Sequence, residues 1–153
     1  MKFSEVASTS GRIAATRSRT EKTALLAGLL RRLEPEEVEA AVAFLSGGPR
    51  QARLGLGGAG IREAVRVPNA STPTLTVLDV DETLGKIASV SGPGSAAERP
   101  RLFASLLQRA TGEEADFLIR LVLASCARER WPASWRSRWP RPPRSPSRKS
   151  GAP

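Results

Sequence analysis

Two aspartates near the middle of the chain have the spacing of a catalytic carboxylate pair. Asp79 and Asp81 stand in the run Leu-Asp-Val-Asp-Glu-Thr-Leu at 78–84, directly after a short apolar stretch. One such carboxylate can attack phosphorus, and a second carboxylate two positions later can transfer the proton. Mg²⁺ would bridge both carboxylates to the phosphate. These residue types and this spacing therefore permit phosphoryl transfer, with Asp79 as the nucleophile and Asp81 as the acid/base.

This pattern resembles the D-x-D-x-T motif that opens the haloacid-dehalogenase-like phosphatases. That fold requires a parallel sheet with several more strands, a lysine and a downstream acidic pair. After residue 84 the sequence predicts only helices. The competing interpretation places both acids in the first turn of a helix, where the helix dipole favours negative charge. We keep the phosphatase as an alternative and favour the helix start.

A second candidate is the glycine-rich run at 54–60, Leu-Gly-Leu-Gly-Gly-Ala-Gly. A P-loop would need Gly-Lys-Ser/Thr, and a dinucleotide fingerprint would need a strand before it and a helix directly after it. Neither context is present. The run is then either a turn that passes close to a neighbouring element or a stretch whose exposed N–H groups meet a phosphodiester backbone. Residue type alone favours the turn.

Basic residues supply the remaining candidates. Arg17, Arg19 and Lys22 stand at the start of a predicted helix, where free N–H groups and the dipole already favour anions. Arg109 and Arg120 could likewise contact phosphates. The alternative for all five is a solvated charged face, which is the commoner outcome for such residues.

The elements that must position these residues are helices. Apolar residues at helical spacing predict helices at 2–16, after Ser18, from Pro35, and on both sides of residue 110. Capping boxes are expected at Ser18/Glu21, Ser95/Glu98 and Thr111/Glu114. The predicted buried faces are Phe3, Val6, Ala7, Ile13 and Ala14; Leu25, Leu26, Leu29, Leu30 and Leu33; Val38, Ala41, Val42 and Leu45; Leu102, Phe103, Leu106, Leu107 and Ala110; and Phe117, Leu118, Leu121 and Val122.

Other segments are less regular. Residues 50–60 contain too much glycine for a stable helix, 61–67 form a short helix, and 68–74 form a loop. Residues 74–78 could be a strand or a buried helix segment. No repeat at a fixed period is found. The sequence predicts an all-α domain of about six helices at residues 2–123.

The net charge of +9 points to a polyanionic partner, but the charge is unevenly distributed. Residues 1–123 carry 16 basic and 14 acidic residues, whereas residues 124–153 carry eight basic residues and one acid. This last segment also holds all three tryptophans, and its Arg/Pro/Ser-rich composition predicts disorder. With one cysteine and no histidine, the usual zinc sites are excluded. No apolar run suggests a membrane span or a signal peptide, so a cytoplasmic location is expected.

Several short motifs, in order along about 120 residues, resemble the N-terminal DNA-binding domain of ATP-dependent DNA ligases of the archaeal and actinobacterial type. They are F-x-x-V at Phe3 to Val6, T-x-S-R-x-x-K at Thr16 to Lys22, and L-x-P-E-E-x-x-x-x-x-x-F-L-x-G at Leu33 to Gly47. L-G-L-G follows at 54–57, G-x-G-S at 92–95, and A-T-x-E-E-A-x-F-L-x-R-L at Ala110 to Leu121. No single motif is specific, but the ordered series is.

The resemblance implies a compact multi-helix domain that grips nicked duplex DNA across the minor groove through phosphate and sugar contacts. Such binding is independent of base sequence and depends strongly on salt. It also implies a monomer at the nucleoid that serves DNA replication, repair and recombination. The positions carried over by motif, as backbone contacts or as residues that shape the contacting loops, are Ser18, Arg19, Lys22, Gly55, Gly57, Thr111 and Arg120.

In this family ATP and Mg²⁺ serve a separate nucleotidyltransferase domain, whose lysine is adenylated within a K-x-D-G motif. The lysines of this chain are Lys2, Lys22, Lys86 and Lys149, and none is followed by x-D-G. The expectation is therefore that this chain holds no catalytic residue, no metal site and no cofactor. It would supply only the DNA-gripping part of a ligase.

The resemblance stops after Leu123. The family continues with roughly G-E-L-R-x-G-A-L, whereas here the sequence reads Ala-Ser-Cys-Ala-Arg-Glu-Arg-Trp. Permissible codons for residues 124–136, read one base earlier, can spell G-E-L-R-E-G-A-L-A-G-V-V-A. The hypothesis is that the domain is truncated and that residues 124–153 result from a frameshift. Sequencing the locus tests it, because a neighbouring frame without downstream ligase sequence would contradict it.

Overall fold

In the computed structural model, residues 1–51 and 53–125 form seven helices. Their bounds are α1 Phe3–Ala15, α2 Arg19–Leu30, α3 Pro35–Leu45, α4 Gly58–Ala64, α5 Val77–Ser89, α6 Ser95–Arg109 and α7 Gly112–Ser125. Within these described residues there is no strand, only an isolated antiparallel bridge between Lys2 and Thr76. The all-α prediction is confirmed, and the segment at 74–78 leads into a helix rather than forming a strand.

Of the three predicted capping boxes, the one at Thr111/Glu114 is complete, the one at Ser18/Glu21 is half formed because the Glu21 carboxylate accepts from Thr16 instead, and the one at Ser95/Glu98 is absent. Ser18 caps α2 by accepting from the N–H of Glu21 at 3.3 Å. Thr111 and Glu114 form the expected box at α7, where the Glu114 carboxylate accepts from the N–H of Thr111 at 2.8 Å. The box expected at Ser95 is wrong: Ser95 is already helical, and the cap is Gly94 with φ +83°. Glycine adopts this left-handed conformation without steric cost, which explains why residue 94 is a glycine.

The core is centred on Phe3, which is fully buried. Its ring meets Phe44 of α3 edge-on at 5.7 Å between centroids and stacks on Phe117 of α7 at 5.5 Å. Three helices are thereby joined at one point. The stripes predicted for α6 and α7 are buried apart from Leu102, which is half-buried.

The faces predicted for α1, α2 and α3 are only partly buried. On α1, Ile13 is half-buried and Ala14 is exposed, against the prediction. The regular leucine stripe of α2 buries Leu29 alone, and Leu30 remains 38% exposed. On α3 the buried residues are Glu37, Ala40, Ala41 and Phe44, whereas Val38 and Val42 are exposed. The alanines turn inward because they admit the close approach of neighbouring helices, and the valines take the outer side. The prediction that Val38 and Val42 are buried is therefore wrong.

Helix α4 begins at Gly58, inside the stretch expected to be too glycine-rich for a helix. Tertiary packing overrides the low propensity. An ideal Cβ on Gly60 would lie 2.7 Å from Cγ of Pro100 in α6, so the two helices meet where a larger residue would not fit. Glycine at this position is therefore a packing requirement.

Two helical hairpins have related sequences. We use hairpin for two consecutive helices joined by a short turn, α2 with α3 as the first and α6 with α7 as the second; in both, the helices pack mainly on other helices rather than on each other. At one constant spacing along the chain, the first hairpin's residues match the second's as Ser18 to Ser95, Lys22 to Arg99, Leu29 to Leu106, Leu30 to Leu107, and Glu37 to Glu114. Both carboxylates of the last pair are buried and accept from a backbone N–H three residues earlier. Because two copies do not establish a repeat with a fixed period, this relationship was not predicted from the sequence.

Helix α7 continues through Ser125, two residues beyond the predicted end of the domain. The predicted disorder of the remaining tail, 126–153, falls outside the described residues. Among the helices of residues 1–51 and 53–125, none combines the length and the apolar character that a membrane span requires.

Candidate nucleic-acid interface

The start of α2 presents three cations to solvent. Arg17 and Arg19 are exposed and Lys22 is half-buried. The one acid in this turn, Glu21, instead accepts a hydrogen bond from the Thr16 hydroxyl at 2.5 Å. In the part of the chain that the structure describes, the side chains of the three cations form neither ion pairs nor hydrogen bonds. Their charge is therefore available to an anion at a helix N-terminus that already favours one.

Five other cations of the described residues are paired with carboxylates. Arg50 binds Asp81 and Glu39, Arg32 pairs with Glu5, Lys86 with Glu82, Arg101 with Glu98, and Arg109 with Asp79. The Arg109 contact shows that this residue is not a free phosphate ligand. The start of α2 therefore differs from these five positions in that none of its three cations has an acidic partner in the described residues.

The glycine run forms a second element of the site. Leu54 and Leu56 are each 2% exposed, whereas Arg53, Gly55 and Gly57 are exposed. The segment thus turns its apolar side chains inward and leaves two residues without side chains outward. We call Gly55 and Gly57, with the backbone between them, the glycine face. Its outward atoms are backbone atoms that a phosphodiester could approach closely.

Three exposed arginines that precede and follow the glycine face along the chain were not predicted from the sequence. Arg53, Arg62 and Arg66 are exposed, and none has an ion pair within residues 1–51 and 53–125. Their position on either side of the glycines was the available signal. Arg99 was also missed, since its only sequence signal is the match to Lys22. Its guanidinium donates to the Gly55 carbonyl at 3.4 Å and to the Val90 carbonyl at 2.5 Å.

Thr111 and Arg120 have different roles in the structure. Thr111 is half-buried, and its backbone and hydroxyl are used to cap α7, so it shapes a turn. Arg120 is exposed; its Nε donates to the Asp116 carbonyl at 3.4 Å and its guanidinium lies 5.6 Å from the Phe117 ring centroid. It remains charged at the surface and has no acidic partner in the described residues.

The predicted residues do not converge on one point. Gly55 contacts Arg99 in the second turn of α6, and Thr111 follows the other end of that helix. At about 1.5 Å per residue, the two positions are roughly 18 Å apart along the helix. The start of α2 lies at the end of α1 opposite the Glu5–Arg32 pair. A spread of contacts suits a long polymer rather than a small ligand.

The aspartate pair serves the fold. The Asp79 carboxylate accepts from the N–H of Thr76 at 3.0 Å, which, with Arg109 nearby, holds the pKa of Asp79 below its ordinary value. Asp81 accepts from Nε of Arg50 at 3.1 Å and from Gln51 at 3.2 Å. Both acids lie in α5, and the described residues provide no sheet to carry a phosphatase site. The phosphatase alternative is therefore not supported. The helix-start interpretation is confirmed for Asp79, which lies in the first turn of α5, and is wrong for Asp81, which lies in the second turn.

Comparison with known proteins gives a consistent result. Residues 65–126 match the family model described as DNA ligase N terminus. A probable DNA ligase of Rhodococcus jostii (strain RHA1) is 46% identical over 122 residues, which is 80% of this chain and 24% of that protein. One of Rhodococcus opacus (strain B4) is 47% identical over 122 residues, with the same two coverages. One of Sorangium cellulosum (strain So ce56) is 44% identical over 131 residues, covering 85% of this chain and 25% of that protein.

The chain thus spans about a quarter of the length of these relatives. No solved structure matches it. The family match begins at Val65 and takes in α5, α6 and α7, including the turn built by Thr111, and the relatives extend the similarity over four-fifths of the chain. Residues 65–126 are therefore similar to the DNA ligase N terminus, and about four-fifths of the chain is similar to about a quarter of the length of probable DNA ligases.

Proposed function

We propose that this chain binds nicked duplex DNA independently of base sequence, as the DNA-gripping N-terminal part of an ATP-dependent DNA ligase. The observation that carries the proposal is the group of three cations at the start of α2, whose side chains form no ion pair or hydrogen bond within the described residues and which lie at a helix N-terminus. The relatives are named as probable DNA ligases, which makes a nick the appropriate DNA substrate.

The chain's residues would act by electrostatics and shape. Arg19 and Lys22 would neutralise phosphates, and Ser18 would keep the first N–H groups of α2 directed outward. The glycine face would let a strand approach the protein backbone, while Arg120 would add a cation at the surface of α7. Affinity from such contacts comes largely from counterion release, so it falls steeply as salt increases.

The proposal assigns no covalent step to this chain. In such a ligase the adenylated lysine, with ATP and Mg²⁺, would belong to a K-x-D-G motif, and these 153 residues do not contain that motif. We further propose that the chain acts as a monomer at the nucleoid, in DNA replication, repair and recombination.

The experiment measures binding of the full chain to nicked duplex by fluorescence anisotropy. One variant replaces Arg19 and Lys22 by Gln, and the matched variant replaces the eight basic residues of 126–153 by Gln. We expect the first variant to lose most of the affinity and the second to retain most of it. The opposite result would show that the helices serve another purpose and that the basic tail is a non-specific polyanion binder. Unchanged helical circular dichroism is the control for both.

A further inference from the structure

Arg99 lies directly beneath the exposed backbone of Gly55. Gly55 has φ +66°, and an ideal Cβ at this position would stand 2.7 Å from Cζ and Nη1 of Arg99. The guanidinium thus occupies the space that any side chain at position 55 would need. It donates through Nη1 to the Gly55 carbonyl and through Nη2 to the Val90 carbonyl at the end of α5.

The charge of Arg99 is not matched by an acid. In the described part of the chain no carboxylate pairs with it, and the neighbouring Glu98 pairs with Arg101 instead. Its Nε is buried and has no hydrogen-bond partner. An arginine held only by two carbonyls carries its full positive charge behind the glycine face. The fork geometry of the guanidinium is what permits both carbonyls to be held at once.

We propose that Arg99 is the positioning residue of the glycine face. It ties the loop around Gly55 to the end of α5 and presents the loop's backbone to a DNA phosphate, without itself reaching that phosphate. This inference rests on the proposed DNA binding. It differs from the role of the matching residue Lys22, whose ammonium has no partner in the described residues and is free to meet DNA.

The first test compares Arg99→Met with Arg101→Met in the full chain. Methionine keeps the apolar stem but removes both hydrogen bonds, and Arg101 is an exposed neighbour on the same helix. We expect Arg99→Met to weaken nicked-duplex binding about tenfold, as the loss of two hydrogen bonds that fix the loop would do. The dependence of log affinity on log salt should keep the wild-type slope. A slope reduced by about one would show a direct phosphate contact and overturn the proposal.

The second test is a double-mutant cycle with Gly55→Ala. Alanine at φ +66° with its Cβ against the guanidinium should displace the same loop and weaken binding by itself. If Arg99 acts through this loop, the double variant should bind no more than about twofold weaker than Arg99→Met, because contacting residues are not additive. Fully additive losses would overturn the proposal. Arg99→Lys keeps the charge without the fork, so full rescue by lysine would also overturn it.

A third readout needs no DNA. In the free full-length chain, amide hydrogen exchange of residues 53–57 should be faster in Arg99→Met, with exchange in α1 and α7 unchanged. If the wild-type chain fails to bind nicked duplex, the proposed function is wrong, yet this measurement still tests the positioning claim. Should methionine lower the helical circular dichroism, Arg99→Lys takes its place in the exchange measurement. Unaltered exchange of the loop would contradict the proposal.

Discussion

The two related hairpins have the same residue pattern but different surroundings. Leu30 on α2 is 38% exposed, whereas the matching Leu107 on α6 is 1% exposed. The second hairpin is covered by α4, α5 and α1, and α4 is held against it by the Gly60–Pro100 approach. In the first hairpin, α2 packs mainly against α1. The apolar pattern therefore specifies a helix but not how many neighbours cover its apolar face, and in α3 it also misplaces that face.

The difference extends to the polar residues. Lys22 is free at the start of α2, and the matching Arg99 is bound to two backbone carbonyls under the glycine face. We interpret the first hairpin as a contact surface and the second as the support that shapes a loop for contact. The predictions below either break or sharpen this division.

The largest effect is expected from matched leucine truncations. Leu107→Ala should lower the free energy of unfolding by about 2–5 kcal/mol, because it leaves a cavity in a covered site. Leu30→Ala should lower it by less than about 1 kcal/mol, since much of that side chain is already in water. Urea unfolding followed by circular dichroism measures both. Equal losses would mean that the hairpins are buried to the same extent.

A buried carboxylate in the first hairpin should make stability depend on pH. The pKa of Glu37 lies below its ordinary value because the Met1 ammonium, and then the Glu34 N–H, donate to it. A lowered folded-state pKa gives stability that is present above the unfolded pKa, about 4.3, and is lost as pH falls through the folded value.

Glu37→Gln should therefore be less stable than wild type at neutral pH, by about 1–3 kcal/mol, as removal of one partner from a buried polar pair implies. The difference in free energy of unfolding between wild type and variant should become smaller as the pH falls below about 4, because the wild-type carboxylate is then protonated and also uncharged. Urea unfolding at neutral and acidic pH measures it. A gap that is constant with pH would contradict the ionised pair.

Two matched glycine substitutions test how tightly α4 packs against α6 of the second hairpin. Gly60→Ala places a Cβ against Pro100 and should destabilise by about 1–3 kcal/mol through overpacking. Gly28 is exposed in the last turn of α2, where an added Cβ would have nothing within 4 Å, so Gly28→Ala should raise the free energy of unfolding by up to about 1 kcal/mol. Thermal unfolding of the two variants gives the comparison. A tolerated Gly60→Ala would show that the contact between α4 and α6 is loose.

The smallest effect in free energy is expected from a single surface lysine. Lys22→Gln should weaken nicked-duplex binding several-fold and reduce the salt slope by about one, as loss of one phosphate contact does. Lys86→Gln is the control, because Lys86 pairs with Glu82 on α5. Anisotropy titrations at several salt concentrations measure both. A control that changes the slope as much as Lys22→Gln would contradict the division of the surface.

Much of the fold could be predicted from local chemistry. The Ser18 cap, the Thr111/Glu114 box and the apolar stripes of α6 and α7 all depend on residues close in sequence, and all are present. The wrong predictions are those in which contacts between residues distant in sequence determine the local structure. Helix α4 forms through glycines because it packs on Pro100, and α3 turns its alanines inward because other helices come close.

The candidate site was predictable in composition but not in geometry. Residue types identified the cations of α2 and the glycines, and family resemblance supplied Thr111 and Arg120. Nothing local shows that Arg99 would lie under Gly55, since the two residues are distant in sequence and meet only when α4 and α6 pack. A list of charges also does not show that the Glu21 carboxylate accepts from the Thr16 hydroxyl while the adjacent Lys22 has no ion pair in the described residues.

The most direct test of the account is hydrogen exchange of the full chain with and without nicked duplex DNA. Binding should slow exchange at residues 16–22, where α2 starts, and at residues 53–58, which include the glycine face. Exchange in the covered core of α6 should change little. Protection confined to residues 126–153, or no protection at all, would contradict the claim that the helical domain itself grips DNA.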